Sequence, residues 1–140
     1  MAEEEIKALI REAITAREMS YAPYSGYQVG AALLTMDGQV IRGCNIENAA
    51  YTPTNCAERT AFFKAVSEGK RDFKAIAIVG SPKGDAITQY SYPCGVCRQV
   101  MMEFCNPETF QIIVALSEEE YQCKTLAAFL PWGFGPENLE

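Results

Sequence analysis

At 140 residues, 49% hydrophobic and 21% charged, the sequence is that of a folded chain, long enough for one core and too short for two. That composition excludes a disordered segment. Eighteen acidic residues against twelve basic ones and no histidine give a net charge of −6. Such a field repels a nucleic-acid polymer or an acidic membrane surface and suits a small neutral ligand.

The opening "MAEEEIKALIREAITAREM" is acidic, and its apolar residues recur at helical spacing, so it is not read as a secretion signal. No stretch reaches the roughly 18 apolar residues of a membrane span. The expected compartment is therefore the cytoplasm. In that reducing environment six cysteines are thiols or metal ligands in preference to three disulfides.

Ile6, Leu9, Ile10, Ala13 and Ile14 fall on one face of a first helix. "YAPYSGY" is a loop, and "YQVGAALLTM", "DG" and "QVIRGCN" form a β-hairpin turning at Asp37-Gly38. A second helix is predicted from about Cys56 to Glu68, with Gly69 as its cap. "FKAIAIVG" is a buried strand closed by the turn "SPKG", and residues 84–93 are irregular. A third helix starts at the cysteine pair and runs to about Phe104. "TFQIIVAL" follows as a buried strand and "YQCKT" as an edge strand. Thr125 then caps a last helix, "LAAFLP", before a Gly- and Pro-rich tail. With no repeat or linker, residues 1–140 are expected to form a single domain. It would be a three-layer α/β/α sandwich around a mixed sheet of about five strands.

Two motifs carry chemistry. "PCGVC" alone is either a redox dithiol or half of a metal site. The upstream "NCAER" adds a third thiol, and three thiolates with an open fourth position are a catalytic zinc arrangement. Cys56, Cys94 and Cys97 are thus the candidate ligands of one Zn²⁺ per chain. Cys44, Cys105 and Cys123 are expected to be small core residues. Arg59, three residues after Cys56 and on the same helical side, is placed to donate to a thiolate and offset the charge of the cluster.

"YAPYSGYQVGAALL", "GCNIENAAY", "NCAERTA", "PCGVCRQV" and "LPWGFGPENL" resemble, in order and over nearly the whole chain, the segments of the cytidine deaminase family. The resemblance is to its small three-cysteine, homotetrameric form. It implies hydrolytic deamination of cytidine and deoxycytidine to uridine and deoxyuridine in pyrimidine salvage. Glu58 would be the catalytic proton carrier, a glutamate that is not a metal ligand. The resemblance further implies that Asn45 and Glu47 bind the ribose, Ala57 offers backbone groups to the pyrimidine, and Tyr27 walls the base site where many relatives have Phe. Ala49, Tyr51 and Phe134 would reach ligand across subunit boundaries, so that neighbouring chains complete each site. A carboxylate at Glu47 accepts from ribose hydroxyls and repels phosphate, which selects nucleosides over nucleotides. The alternatives are a deaminase of another small nucleoside, such as a blasticidin-type antibiotic, and a thioredoxin-like dithiol oxidoreductase that uses Cys94 and Cys97.

Overall fold

The computed structural model describes residues 1–140. Its elements in chain order are α1 (Glu3–Arg17), β1 (Tyr27–Thr35), β2 (Val40–Cys44), α2 (Ala57–Ser67), β3 (Phe73–Pro82), α3 (Gly95–Phe104), β4 (Gln111–Ala115), β5 (Tyr121–Thr125) and α4 (Leu126–Phe129). A 3-10 turn follows at Pro136–Leu139. The five strands form one sheet in the order β2-β1-β3-β4-β5. Only β3 and β4 run parallel; the other neighbours are antiparallel, so the sheet is mixed as expected.

Alternation along the central strands divides the core in two. Ala31 and Leu33 of β1, Ile76 and Ile78 of β3, and Ile112 and Val114 of β4 face α2 and α3, where Ala61, Phe62, Ala65 and Met101 meet them. The intervening residues Ala32, Leu34, Ala75, Ala77, Val79 and Ile113 face α1, which supplies Ile6, Leu9, Ile10 and Ala13. A sheet buried on both faces explains why these strands read as continuous apolar runs. Burying each large side chain such as Leu9 or Ile10 contributes about 1.5–3 kcal/mol.

Several boundaries differ from the sequence expectation for physical reasons. β3 continues through Ser81 and Pro82, expected as a turn, because Gln28 and Tyr27 of β1 remain available to pair with them. The chain then turns at Gly84, whose φ of 80° suits glycine. The last helix has four residues, not six. Pro131 forces Leu130 out of the helical region, to φ −140° and ψ 71°. Thr125 caps that helix as expected, accepting from the Ala128 N–H at 3.3 Å. Cys123 is a correction: it lies exposed on β5, with its thiol 3.2 Å from Gln111 Oε1, and does not join the core. Cys44 and Cys105 are half-buried, and all six cysteines are free.

Close backbone approach sets the spacing of the layers. A Cβ on Gly30 would lie 2.1 Å from the Ala13 carbonyl oxygen and 2.5 Å from the Arg17 nitrogen, so α1 presses directly on β1. Likewise a Cβ on Gly43 would come within 2.3 Å of the Ala57 carbonyl, at the start of α2. Gly30→Ala should therefore lower unfolding free energy by about 1–3 kcal/mol, the cost of overpacking. The expected signature is a lower urea midpoint with an unchanged m-value.

Candidate zinc centre and active-site cleft

Cys56 and Cys94 are the N-caps of α2 and α3, both in extended backbone conformation, and neither side chain is spent on capping its helix. Cys97 lies one turn into α3, on the same side as Cys94. The three sulfurs gather within 4.8 Å of one another. Cys56 and Cys94 are 3.8 Å apart, and Cys94 and Cys97 are 3.5 Å apart. Tetrahedral zinc with Zn–S bonds of about 2.3 Å requires sulfur separations of about 3.8 Å, close to both of these distances. The cluster comprises three ligands, whereas a purely structural site normally closes with four.

Electrostatics prepare the sulfurs for a cation. A hydrogen bond from the Cys97 thiol, with further bonds from Arg59 and Cys94, brings Cys56 down to about 5. The bond that Cys97 donates, its burial and the charge of Glu58 push Cys97 up. The two shifts are opposite in direction, so Cys56 is the sulfur of the pair that ionises more readily. Arg59 donates from Nη2 to Cys56 Sγ at 3.2 Å, the contact expected from its spacing. The N-termini of α2 and α3 add their positive ends to the same spot.

Glu58, the second residue of α2, is only 4% exposed. Burial, assisted by the negative charge on Cys56, raises its carboxyl to about 7. A carboxyl of that kind can give and take a proton near neutral pH.

Beside the sulfurs is a cleft of about 360 Å³. Of the expected site residues, Tyr27, Asn45, Cys56, Ala57, Glu58 and Cys94 line it together. Asn45 is fixed by two bonds to β1: its Oδ1 accepts from the Val29 N–H at 2.9 Å, and its Nδ2 donates to the Tyr27 carbonyl at 2.8 Å. Glu47 lies next to the cleft, outside its wall. Its carboxylate accepts from the N–H groups of Tyr24 and Ser25 at 2.9 and 3.0 Å and from the Ser25 hydroxyl. Those bonds hold its carboxyl below the usual range, the Ser25 hydroxyl contributing most. Ala49, Tyr51 and Phe134 are exposed and do not line the cleft of their own chain.

Sequence reasoning missed Val29, Thr54, Asn55, Ile78, Tyr90, Ser91 and Tyr92, all of which line the same space. Asn55 had a readable signal, its position directly before Cys56, and its backbone pairs with Ile46 to bring the two loops together. Tyr90, Ser91 and Tyr92 fall in the irregular segment, where no periodicity marks a facing side.

A five-stranded mixed sheet presenting three sulfurs and a buried glutamate at two helix starts defines a zinc-hydrolase type of site. The family described as the cytidine and deoxycytidylate deaminase zinc-binding region matches residues 3–113. A cytidine deaminase of Halalkalibacterium halodurans is 53% identical, over 94% of this chain and 95% of that protein. One of Sporosarcina psychrophila is 49% identical, over 96% and 95% respectively. A crystal structure of cytidine deaminase from Burkholderia pseudomallei superposes with a TM-score of 0.82 at 45% identity, covering 96% of this chain and all of that one. The chain belongs to the cytidine and deoxycytidylate deaminase family, and its cofactor is zinc. A dithiol oxidoreductase is not favoured, since it would leave Cys56 and Glu58 without a part.

Cys94→Ala should remove one corner of the sulfur triangle. The purified variant is expected to hold well under half a zinc per chain by elemental analysis, against about one in the parent. Full zinc retention would show that the metal sits elsewhere.

Proposed function

We propose that the chain is a zinc-dependent hydrolase converting cytidine and deoxycytidine to uridine and deoxyuridine with release of ammonia. The observation that carries this reading is the placement of the buried Glu58 beside three sulfurs at zinc spacing, in a cleft of about 360 Å³. Zinc held by Cys56, Cys94 and Cys97 supplies Lewis acidity that makes a hydroxide nucleophile available near pH 7. Glu58 accepts a proton from the attacking water, delivers one to ring nitrogen N3, and assists protonation of the departing amino group. Its elevated pKa of about 7 fits both roles. Arg59 offsets the excess negative charge of three thiolates around a divalent ion.

Asn45 keeps one amide hydrogen and one oxygen lone pair beyond its two bonds to β1, enough to bind a ribose hydroxyl. Glu47, pinned as an anion, supplies an acceptor for a second hydroxyl and repels a phosphate. Ala57, at the unpaired first turn of α2, offers backbone groups to the base. The whole of 1–140 acts as a single deaminase domain.

The working assembly in this reading is a homotetramer, in which Ala49, Tyr51 and Phe134 complete a neighbouring site. The support is apolar surface without a partner: Ile46, Tyr51, Val96, Trp132 and Phe134 are all exposed. Tyr51 and Trp132 also hold positive φ, at 62° and 58°, a conformation uncommon for bulky residues. The place of action is the cytoplasm, in pyrimidine salvage; no helix is long and apolar enough to cross a membrane.

Purified protein incubated with cytidine should release ammonia with loss of the cytosine absorbance. Glu58→Gln should retain zinc and fold while turnover falls about 10⁴-fold, the upper range for a general acid–base group. Turnover within tenfold of the parent would remove Glu58 from this role.

Glu47→Gln should lower the parent's preference for cytidine over cytidine monophosphate, because the repelling charge is gone. The check is the ratio of kcat/KM for the two substrates. An unchanged ratio would assign phosphate exclusion to the shape of the cleft.

A further inference from the structure

Tyr27 borders two spaces. It lines the catalytic cleft of about 360 Å³ and also a second cavity of about 540 Å³. The second cavity has polar walls, among them Ser81, Asp85, Thr88 and Gln89. The backbone of Tyr27 is fixed by pairing with Pro82 at the end of β3, so its freedom lies in the side chain. The second space offers the polar side chains of Asp85, Thr88 and Gln89 as alternative partners for a phenol. A ring in that position forms a reliable wall only if something holds its hydroxyl.

Ser91 does so: its Oγ lies 3.0 Å from Tyr27 Oη. Gly80 is shaped for this pairing. A Cβ there would lie 2.4 Å from Ser91 Oγ and 2.9 Å from a ring carbon of Tyr27. Gly80 is not among the glycines with positive φ, so its lack of a side chain serves space, not backbone conformation. Serine and tyrosine therefore settle together against the bare face of β3. Ser91 also precedes Cys94 by three residues, which ties the wall to the segment that carries a zinc ligand.

We infer that Ser91 is a positioning residue whose hydroxyl latches the Tyr27 ring as the wall between the cleft and the second cavity, fixing the surface against which the nucleoside packs. This deepens the deaminase reading above and rests on it. The latch acts through Tyr27 on binding, and neither hydroxyl has a part in the proton transfers. Loss of Ser91 alone leaves the phenol unpaired and drawn toward the polar cavity. Loss of both hydroxyls leaves an apolar ring with no such pull, and replacing both partners of a hydrogen bond costs less than orphaning one.

The test uses four zinc-loaded proteins: the parent, Ser91→Ala, Tyr27→Phe and the double variant. Calorimetry gives the dissociation constant of uridine, and kinetics give KM and kcat for cytidine. Zinc content and ligand-free thermal midpoints are measured alongside. Ser91→Ala should weaken uridine binding and raise KM about three- to tenfold, the usual effect of one lost hydrogen bond. Its kcat should stay within about twofold and its zinc should be unchanged. Adding Tyr27→Phe should restore part of the lost affinity, a non-additive result. Should Ser91→Ala fail to fold, Ser91→Gly, which removes the hydroxyl without adding bulk or another thiol beside the zinc ligands, carries the same comparison.

Uridine binding by Ser91→Ala equal to the parent's would overturn the latch, as would losses that simply add in the double variant. Coupling in the thermal midpoints with uridine binding unmoved would reduce the pair to a structural contact and overturn it as well. A parent that binds uridine but releases no ammonia from cytidine would overturn the deaminase reading alone. A parent that binds no pyrimidine nucleoside would overturn both.

Discussion

Three sulfurs can share one cation only where the first turns of two helices converge, and the sheet is what aims them. β3 and β4 are the parallel pair, and α3 is the crossover between them, so its start is carried to the end of β3. The opening turn of α2 reaches the same place because Gly43 lets it lie directly on β2. Phe62 and Met101, both buried in the shared core, keep the two helices together. The metal site therefore depends on close packing remote from it, because a shift of 1 Å in either helix would spoil separations of 3.5 and 3.8 Å between sulfurs.

Charge follows from that convergence. Three thiolates brought together repel, and the hydrogen bonds among the sulfurs hold Cys56 down while Cys97 is pushed up. Thiol ligands must lose their protons to bind a divalent cation, so metal uptake at such a cluster is coupled to proton release. Arg59, donating to Cys56, and the positive ends of the two helices offset negative charge on the sulfurs. Glu58 is governed by the opposite rule. It has no cationic partner strong enough to outweigh its burial, and its proton is consequently loosely poised near neutrality. Positions only two residues apart at the start of one helix thus hold a thiol low and a carboxyl high.

Much of this was legible because the metal motif and the helix starts coincide in sequence. "NCAER" and "PCGVC" mark both, and Arg59 follows at helical spacing. Apolar runs with β-branched residues identified β3 and β4, and Asp37-Gly38 marked the hairpin turn. Cys123 was misread because composition cannot tell which side of an edge strand faces solvent. The end of β3 was misread because "SPKG" has turn chemistry, and the pairing that overrides it comes from Tyr27 and Gln28, more than fifty residues earlier. Tyr90, Ser91 and Tyr92 were invisible for a related reason. An irregular segment has no period, so only the fold decides which of its side chains enter the cleft.

The polar residues nearest the cleft share a further property: they are anchored before any ligand arrives. Asn45 bridges two backbone groups of β1, and Glu47 gathers two N–H groups and a hydroxyl from the 24–25 turn. A carboxylate left free would need to be ordered when a sugar bound, at a cost of about 0.5–1.5 kcal/mol for each immobilised side chain. Here that ordering is completed during folding, driven by burial of the two apolar layers. The isolated bridges of Ile46 with Tyr21 and Asn55 hold the loop that bears both residues against the start of α2. Asn45 is thereby fixed to β1 and Cys56 to the start of α2, at two positions on the wall of one cleft. The bridged backbone of the 46–55 loop joins these two positions, so a ligand held at one is placed at a set distance from the other.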